Sequence, residues 1–373
     1  MFSSFIFFSK CVAHLGRYLQ WKPELIHVHD WQVALVPLFV RHQNLYDGWI
    51  NPPRTCLTIH NMAYQGCYPV ASYTLTNLPQ GYFNPNGLEF YGKMNCLKAG
   101  IAFADTITTV SPRYAREIMT EQFGCGLHGL MQKRKEALHG ILNGVDYEEW
   151  KTSANPFLKH SFSLKNLFGK AANKQDLQQE LSLPVNPHVP LFVTVGRLAE
   201  QKGVDILLGS LEEMLHSDLQ FALLGSGDPK LEGAFRELQI RFPEKVAVRI
   251  GFDEALSHRI EAGADFFVMP SRYEPCGLNQ MYSQHYGTIP IVRMTGGLDD
   301  SVVDIGDDPV NATGIKFTEL SPSMLSKAIR KALSLFQNAE LMRHYRTNGM
   351  KADFSWERTS EQYLRVFELA ENT

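Results

Sequence analysis

Short apolar runs alternate with segments of helical length over the second half of the chain. The runs are rich in β-branched and aromatic residues and end at glycine, proline or polar residues, which is typical of strands buried in a parallel sheet. They predict six strands: Leu191–Val195, Leu219–Leu224, Val246–Ile250, Asp265–Met269, Ile289–Val292 and Gly314–Phe317. Regular strand–helix alternation of this kind predicts a complete Rossmann-like domain with helices on both faces of the sheet.

The same pattern is sparser before residue 150, where it predicts four strands: Glu24–Asp30, Arg54–Ile59, Asp105–Val110 and His139–Leu142. Helices are expected at Met1–Lys10, Trp31–Arg41 and Gly87–Ala104. A doubly wound domain usually has about six strands. We therefore expect the first half of this domain to be missing from the chain, together with much of its activity.

The length of 373 residues indicates two domains. We place the first at residues 1–150 and the second at residues 151–355, with a hinge in the polar tract that runs from Lys151 to Lys174. The N-terminal apolar cluster is too short to span a bilayer and lacks the features of a secretion signal.

Composition limits the classes of partner. The hydrophobic residues make up 44% of the chain and the formal net charge is −3, so no global basic surface favours nucleic acid or an anionic membrane. Any anion site must therefore be local. The six cysteines show no metal-binding or disulfide spacing, which favours reduced thiols and an intracellular location.

Glu274 lies in the loop that follows the predicted strand Asp265–Met269. Ligands of open parallel sheets bind beyond the carboxyl ends of the strands, so Glu274 is placed where chemistry would occur. The amides of Cys276, Gly277 and Leu278 would begin the next helix and favour an anionic ligand group. A solvated loop glutamate is the alternative, but the turn Gly296-Gly297 after the next strand adds a second backbone-exposing loop at the same edge.

Arg197 and Lys202 follow the first strand of this domain. An arginine fork with a lysine suits a diphosphate, although a pair of exposed surface cations explains them equally well. The segment Gly225–Lys230 begins like a dinucleotide fingerprint, but Lys230 stands in place of its third glycine, and Asp228 is a predicted helix N-cap. With no Walker lysine motif either, neither a nicotinamide dehydrogenase nor a P-loop ATPase fits.

Asp30 and His60 both stand at predicted strand ends in the first half of the chain. A single histidine is more often structural than functional, so His60 alone is weak evidence of a site.

Taken together, these pieces resemble the bacterial glycogen synthases and plant starch synthases, which are retaining, ADP-glucose-dependent glucosyltransferases of the GT-B fold. The matching segments occur in the family's order over almost the whole chain: His27–Trp31, Thr58–Asn61, Tyr64–Gly66, Lys98–Gly100, Thr109–Pro112, Ile141–Asp146, Gly196–Leu198, Gln201–Gly203, Glu274–Leu278, Tyr286–Thr288, Thr295–Leu298 and Asp353–Trp356.

The resemblance implies two Rossmann-like domains facing a cleft, the first incomplete, and a final helix at residues 356–373 that crosses back to the first domain. It implies glucose transfer from ADP-glucose to the non-reducing end of an α-1,4-glucan, glycogen or starch, without a cofactor or metal and without nucleic acid or membrane partners. The expected location is the bacterial cytoplasm, or the plastid stroma for a plant or algal chain.

The resemblance also implies roles for individual residues. Arg197 and Lys202 would hold the donor diphosphate, and Glu274 would stabilise positive charge at the anomeric carbon. His60 would contact the transferring glucose. The remaining candidates are donor-binding residues, Cys276, Gly277, Leu278 and Asn279, and cleft residues, Asp30, Asn61, Asn143, Gly296 and Gly297.

Three departures from the family pattern bear on these expectations. The opening Lys-Thr-Gly-Gly-Leu loop is missing, Asn279 replaces a threonine, and Gln284-His285 replaces a Met-Arg pair. Two alternatives to a glycogen synthase therefore remain open: a catalytically impaired fragment that binds glucan or a partner, and a GT-B enzyme that uses another nucleotide sugar.

Overall fold

The computed structural model describes residues 2–46 and 51–371. The first residue of the predicted helix Met1–Lys10 and the last two of the predicted helix at 356–373 therefore lie outside the described residues. The chain divides into two compact units. Unit 1 comprises Met1–Asn143 together with Glu357–Thr373, and unit 2 comprises Gly144–Trp356.

The strands of unit 1 are β1 (Leu25–His29), β2 (Arg54–Ile59), β3 (Cys67–Pro69), β4 (Glu89–Phe90), β5 (Lys93–Asn95), β6 (Thr106–Thr109) and β7 (Leu138–Gly140). Four of them form a parallel sheet in the order β1-β2-β6-β7. A small antiparallel sheet, ordered β3-β5-β4, lies in the segment between β2 and β6. The helices of unit 1 are α1 (Phe2–Tyr18), α2 (Asp30–Val33), α3 (Val36–Tyr46), α4 (Cys96–Phe103), α5 (Pro112–Glu117), α6 (His128–Lys133) and, from the end of the chain, α15 (Trp356–Glu371).

The core of unit 1 forms where strand side chains meet the helices. Leu57, Ile59 and Ile107 are fully buried on the central strands, as expected for strands covered on both faces. Near the start of the sheet, the rings of Tyr363 and Phe367 on α15 lie 5.5 and 5.4 Å from the ring of His27. This contact places the final helix with unit 1.

The helix predicted at Trp31–Arg41 is broken into α2 and α3. Pro37 explains the break, because proline lacks the amide that would bond to the carbonyl of Val33 and its ring clashes with that carbonyl.

The prediction of a single helix over Gly87–Ala104 is wrong in its first half, where β4 and β5 form a hairpin. The turn between them places Tyr91 and Gly92 at positive φ angles of 50° and 75°. Two successive positive φ angles are typical of the tight turn that joins two hairpin strands. Only the segment from Cys96 onward is helical.

The strands of unit 2 are β8 (Leu191–Val195), β9 (Gln220–Gly225), β10 (Val246–Ile250), β11 (Phe266–Met269), β12 (Ile289–Arg293) and β13 (Ile315–Phe317). They form a parallel sheet in the order β10-β9-β8-β11-β12-β13. The helices of unit 2 are α7 (Phe168–Glu180), α8 (Val204–Met214), α9 (Pro229–Arg241), α10 (Glu254–Gly263), α11 (Asn279–His285), α12 (Gly296–Ser301), α13 (Pro322–Phe336) and α14 (Ala339–Lys351). All six predicted strands are confirmed to within one residue at each end.

Each face of the unit 2 sheet carries a separate hydrophobic core. One contains Phe192, Phe221 and Phe266, and the other contains Val193, Ala222 and Phe267. The alternation along each strand follows from the period of two in side-chain direction. Asp228 caps α9 as predicted, since its carboxylate accepts a bond from the amide of Lys230.

None of the helices in the described residues is both long and apolar enough to cross a bilayer.

Candidate active site

The strand order of unit 2 reverses between β8 and β11, which are neighbours in the sheet although β8 is first in the chain. Such a point leaves a crevice at the carboxyl ends of the two strands, where ligands of open α/β sheets bind. Arg197 and Lys202 follow β8, and Glu274 follows β11. The topology therefore brings the three predicted donor-side residues to one crevice.

Lys202 ends a short 3-10 turn, Glu200–Lys202, that is closed by Gly203. Gly203 has a φ of +64°, and a Cβ atom there would lie 1.9 Å from the carbonyl oxygen of Pro270. Only glycine permits both the left-handed backbone and this close approach. The turn is thus held against the end of β11, and Lys202 Nζ lies 2.5 Å from Glu274 Oε2.

Glu274 is buried, with 6% of its surface exposed. Its Oε2 also accepts a hydrogen bond from Ser271 Oγ at 3.1 Å. A buried carboxylate is tolerated only when it is paired and hydrogen-bonded, and these two partners meet that need. The alternative, that Glu274 is a solvated loop residue, is thereby excluded.

Arg272 supports this loop from outside the crevice, and sequence analysis missed it. Its guanidinium makes two bonds to the carboxylate of Asp205, at 2.6 and 2.8 Å, and a third to the carbonyl of Glu200. These bonds hold the pKa of Asp205 below its usual range. Because Glu200 belongs to the turn that carries Lys202, Arg272 ties that turn to the Glu274 loop.

Gly296 and Gly297 begin α12 and pack directly on the Glu274 loop. A Cβ at Gly296 would lie 1.9 Å from the carbonyl oxygen of Glu274, and one at Gly297 would lie 2.1 Å from that of Cys276. The amide of Gly297 donates to the Glu274 carbonyl at 3.1 Å. The two predicted glycine features are therefore in contact, and this pair fixes the loop backbone.

Gly277, Leu278 and Asn279 form the start of α11 and line a cavity of about 250 Å³ together with Arg197 and Lys202. Gly277 has a φ of +71°, which turns the chain into the helix. The Asn279 side-chain amide donates to the carbonyl of Val195 at 2.9 Å, so it ties α11 to the end of β8.

A second cavity of about 410 Å³ adjoins the first, since Val195, Gly196, Arg197 and Asn279 line both. Phe252, in the loop after β10, lines this second cavity with 92% of its surface exposed. An exposed large aromatic side chain beside a phosphate-sized pocket is a candidate for stacking on a base. Sequence analysis did not single out Phe252, because an isolated phenylalanine carries no signal of its exposure.

In unit 1 the structure brings Asp30 and His60 together at the ends of neighbouring strands, β1 and β2. Asp30 Oδ1 accepts the His60 amide at 2.8 Å. Asn61 accepts the amide of Ala63 at 3.0 Å and so shapes the following turn. Asn143 lies beyond β7, which β6 separates from β2, so it is not part of the same side-chain group.

His60 belongs to a row of histidines that the sequence analysis did not connect. Its Nε2 lies 2.9 Å from Nδ1 of His29, so one ring donates and the other accepts. The ring of His27 lies 4.3 Å from that of His29. Burial, and then the neighbouring rings, lower the pKa of His27 to about 4, and burial also lowers that of His29. Both rings are therefore neutral at pH 7.

Two family models match the chain. Residues 2–133 match the family described as starch synthase catalytic domain, and residues 176–352 match glycosyl transferases group 1. The chain is 47% identical over 363 residues to a glycogen synthase of Anaeromyxobacter sp. (strain Fw109-5), covering 97% of this chain and 76% of that protein. It is 44% identical to glycogen synthase 1 of Methylococcus capsulatus, covering 94% and 70%.

Among solved structures, the catalytic domain of starch synthase IV from Arabidopsis thaliana, bound to ADP and acarbose, matches with a TM-score of 0.91 at 34% identity. The match covers 99% of this chain and 77% of that one. A sucrose-phosphate synthase from Thermosynechococcus elongatus matches with a TM-score of 0.62 at 19% identity, which supports the fold alone. The chain therefore belongs to the starch synthase and bacterial glycogen synthase family of GT-B glycosyltransferases.

Proposed function

We propose that this chain transfers glucose from ADP-glucose to the non-reducing end of an α-1,4-glucan, with retention of configuration. The observation that carries the proposal is the buried Glu274 carboxylate, paired with Lys202 at the switch point of the unit 2 sheet. The relatives support the substrate class. Two sequence relatives are named glycogen synthase, and a solved starch synthase structure at 34% identity contains ADP and acarbose.

The cations of the first cavity would take the diphosphate. Lys202 is paired with Glu274, and Arg197 is exposed and donates to Gln201 Oε1 at 3.2 Å. On donor binding, Lys202 would exchange its carboxylate partner for the phosphates, which carry more charge and gain more as the bond to glucose breaks. Amides at the start of α11 would add donors to the same oxygens. The proposal needs no metal, because these cations neutralise the leaving group.

Glu274 would then face the glucosyl ring. With Lys202 turned to the diphosphate, the carboxylate keeps Ser271 as its partner and is free to stabilise positive charge at the anomeric carbon. A fixed, buried charge is effective here because little water screens it.

Phe252 and the second cavity would take the nucleoside. Because the cavities share Arg197 and Asn279, a diphosphate in the first leads directly to a base beside Phe252 in the second. Stacking on an exposed ring buries apolar surface of both partners.

The unit 1 candidates would serve the transferred glucose and the acceptor. Asp30 fixes the backbone of His60 and His29 fixes its ring, so His60 presents an imidazole of defined orientation for hydrogen bonding to a sugar hydroxyl. Trp31 and Tyr64 line a cavity of about 480 Å³ nearby in the same unit, and their rings offer flat apolar faces for glucan units. Asn61 and Asn143 remain candidates for further hydroxyl contacts.

The proposal is tested by measuring ADP release from ADP-glucose in the presence of glycogen, with UDP-glucose as the competing donor. Release that depends on glycogen and prefers ADP-glucose, with an α-configured product by NMR, supports it. Preference for UDP-glucose would assign another nucleotide sugar. Retention of glucan without turnover would assign a binding function instead.

A further inference from the structure

A second group of cations surrounds a cavity at the amino-terminal edge of the unit 2 sheet, at the opposite ends of the strands from Glu274. Lys170 and Lys174 come from α7, and Arg343 and Arg346 come from α14. All four line a cavity of about 360 Å³, together with Asp265 at the start of β11. The cavity shares no lining residue with the donor cavity.

The carboxylate of Asp265 is fully used within this group. Its Oδ2 accepts the amide of Leu191 at 2.9 Å and Lys174 Nζ at 2.7 Å, and its Oδ1 accepts Arg346 Nη2 at 2.8 Å. One negative charge is therefore divided between two cations.

Lys170 has no carboxylate partner among the residues that the structure describes. It is buried, with 4% of its surface exposed, and its Nζ donates to Thr288 Oγ1 at 2.7 Å and to the carbonyl of Ala262 at 3.0 Å. Burial, together with Arg346, holds the pKa of Lys170 well below its usual value. The nearby Glu261 supplies little compensation, because burial raises its pKa to about 8.

The count of charges leaves an excess of positive charge at the cavity. Even with Lys170 neutral, Lys174, Arg343 and Arg346 face the single carboxylate of Asp265. The Arg343 charge is solvated at the rim, but Lys174 is buried and Arg346 is half-buried. Buried charges are normally paired, since an unpaired one is expensive to remove from water, and Asp265 can neutralise only one of these two cations. The excess therefore favours an anion in the cavity.

Two of these side chains also carry hydrogen-bond donors that have no partner among the described residues. Arg346 Nε is buried and finds no partner in the part of the chain that the structure describes. Arg343 is exposed at the rim and makes no hydrogen bond or ion pair with any described residue. The contact with Asp265 uses Nη2 of Arg346, so Nε of Arg346 and the guanidinium of Arg343 remain as donors for a ligand.

We propose that this cavity binds a phosphoryl group, as free phosphate or as a small phosphate monoester, at a site separate from the donor pocket. Two guanidinium groups and a lysine suit a tetrahedral dianion, whereas a carboxylate would bring one charge and two oxygens to the same cations. The volume lies at the lower end of the range for small-molecule pockets, about 300–1,000 Å³. Phe336 and Met342 give the cavity an apolar wall for an organic portion.

The test is a titration of the full chain, with ADP present throughout, using inorganic phosphate, glycerol phosphate, acetate and uncharged glycerol. Binding is measured by calorimetry and as the rise in Tm that a ligand of the folded state produces. We expect both phosphates to bind, and neither acetate nor glycerol to do so at the same concentration. Tighter binding of glycerol phosphate would identify a monoester as the ligand, and equal binding would identify the phosphoryl group alone.

Phosphate binding by variants of the lining residues tests whether the phosphate occupies this cavity. Arg343→Gln should weaken phosphate binding about tenfold, as expected for the loss of one charge-assisted contact. Lys351→Gln, at the exposed end of the same helix, is the matched control and should bind like the parent. Arg346→Lys keeps a charge beside Asp265 but removes Nε, so it should also weaken binding while remaining folded.

Two results would overturn the proposal. One is the absence of phosphate binding by the ADP-saturated parent. The other is equal phosphate affinity in the parent, Arg343→Gln and Arg346→Lys, which would place any bound phosphate elsewhere on the chain. Because the donor pocket is not altered in these variants, a failure here leaves the proposed glucosyl transfer untouched.

Discussion

The charge on one side chain, Glu274, decides whether the proposed chemistry holds. Glu274→Gln keeps the size and hydrogen-bonding capacity of the side chain but removes the negative charge. We expect turnover to fall at least about a hundredfold while ADP-glucose affinity changes little, which is the pattern of a group that acts mainly in the transition state. Single-turnover kinetics and equilibrium donor binding separate the two effects. A variant with nearly the parental rate would remove Glu274 from the mechanism.

Replacing Lys202 or Arg197 with alanine should have the same effect on ADP binding but a different effect on stability. Either change to alanine should weaken ADP binding and slow transfer, because the diphosphate loses a cation in both the bound state and the transition state. Lys202→Ala should in addition lower the Tm, since the buried Glu274 carboxylate loses its cation and keeps Ser271 as its side-chain partner among the described residues. Arg197 is exposed, so its removal should leave the Tm unchanged. If both variants bound ADP as tightly as the parent, the two cations would belong to the surface.

At the scale of elements, Gly203 joins the turn of Lys202 to the end of β11. Gly203→Ala should lower stability by about 2 kcal/mol or more, because the left-handed backbone is strained for alanine and the new Cβ would overlap the Pro270 carbonyl. Gly233, inside α9, is the matched control. A Cβ there meets no atom within 4 Å, so Gly233→Ala should stabilise by about 0.5–1 kcal/mol. Urea unfolding measures both, and equal effects would contradict the argument.

His285, on α11, should make the free energy of unfolding depend on pH. Burial lowers its pKa to about 4, and its ring stacks on Tyr147 at 4.4 Å. A depressed pKa means that the stabilising contribution is present above the unfolded value, near 6.5, and is lost as the pH falls through 4. We therefore expect the free energy of unfolding of the parent to fall between pH 6.5 and 4 by on the order of 1–3 kcal/mol more than that of His285→Gln. Parallel pH profiles for the two proteins would refute this.

The elements of unit 2 could be predicted because each strand is a continuous apolar run, and a run of that kind is specified locally. The error at Gly87–Ala104 has a different cause. Its hairpin depends on the positive φ angles of Tyr91 and Gly92, and tyrosine gives no sign of that conformation. The break at Pro37, by contrast, is visible in the sequence, because proline disfavours the interior of a helix.

The site was predicted where function leaves a backbone or charge signature, as at Glu274 and the Gly296-Gly297 turn. Arg272 and Phe252 escaped because their roles arise from tertiary contacts or exposure, which no local pattern reports. Lys170 and Lys174 show the same limit. They belong to a tract whose polarity predicts a hinge, yet both are buried against the sheet edge of unit 2. A lysine in a polar stretch gives no indication that its ammonium group will be enclosed.

At the scale of the whole molecule, the two units differ in how the chain builds them. Unit 1 combines the start of the chain with α15, so it is discontinuous, whereas unit 2 is one continuous segment. The two ends of unit 2 are joined directly, because the amide of Val145 donates to the carbonyl of Phe354 at 2.7 Å. Unit 2 also has a complete six-stranded sheet with a core on each face. These features are those of a segment that folds independently.

We therefore expect the fragment Gly144–Trp356 to fold cooperatively and to bind ADP with an affinity within about tenfold of that of the full chain, since every proposed ADP contact lies within it. It should release no ADP from ADP-glucose and glycogen, because His60 and Asp30 are not part of it. Circular dichroism during urea unfolding tests the fold, and calorimetry tests the binding. The same fragment with Lys202→Ala controls for nucleotide bound outside the donor cavity and should bind ADP more weakly. A fragment that unfolds without a cooperative transition, or that folds but does not bind ADP, would show that the donor site depends on unit 1.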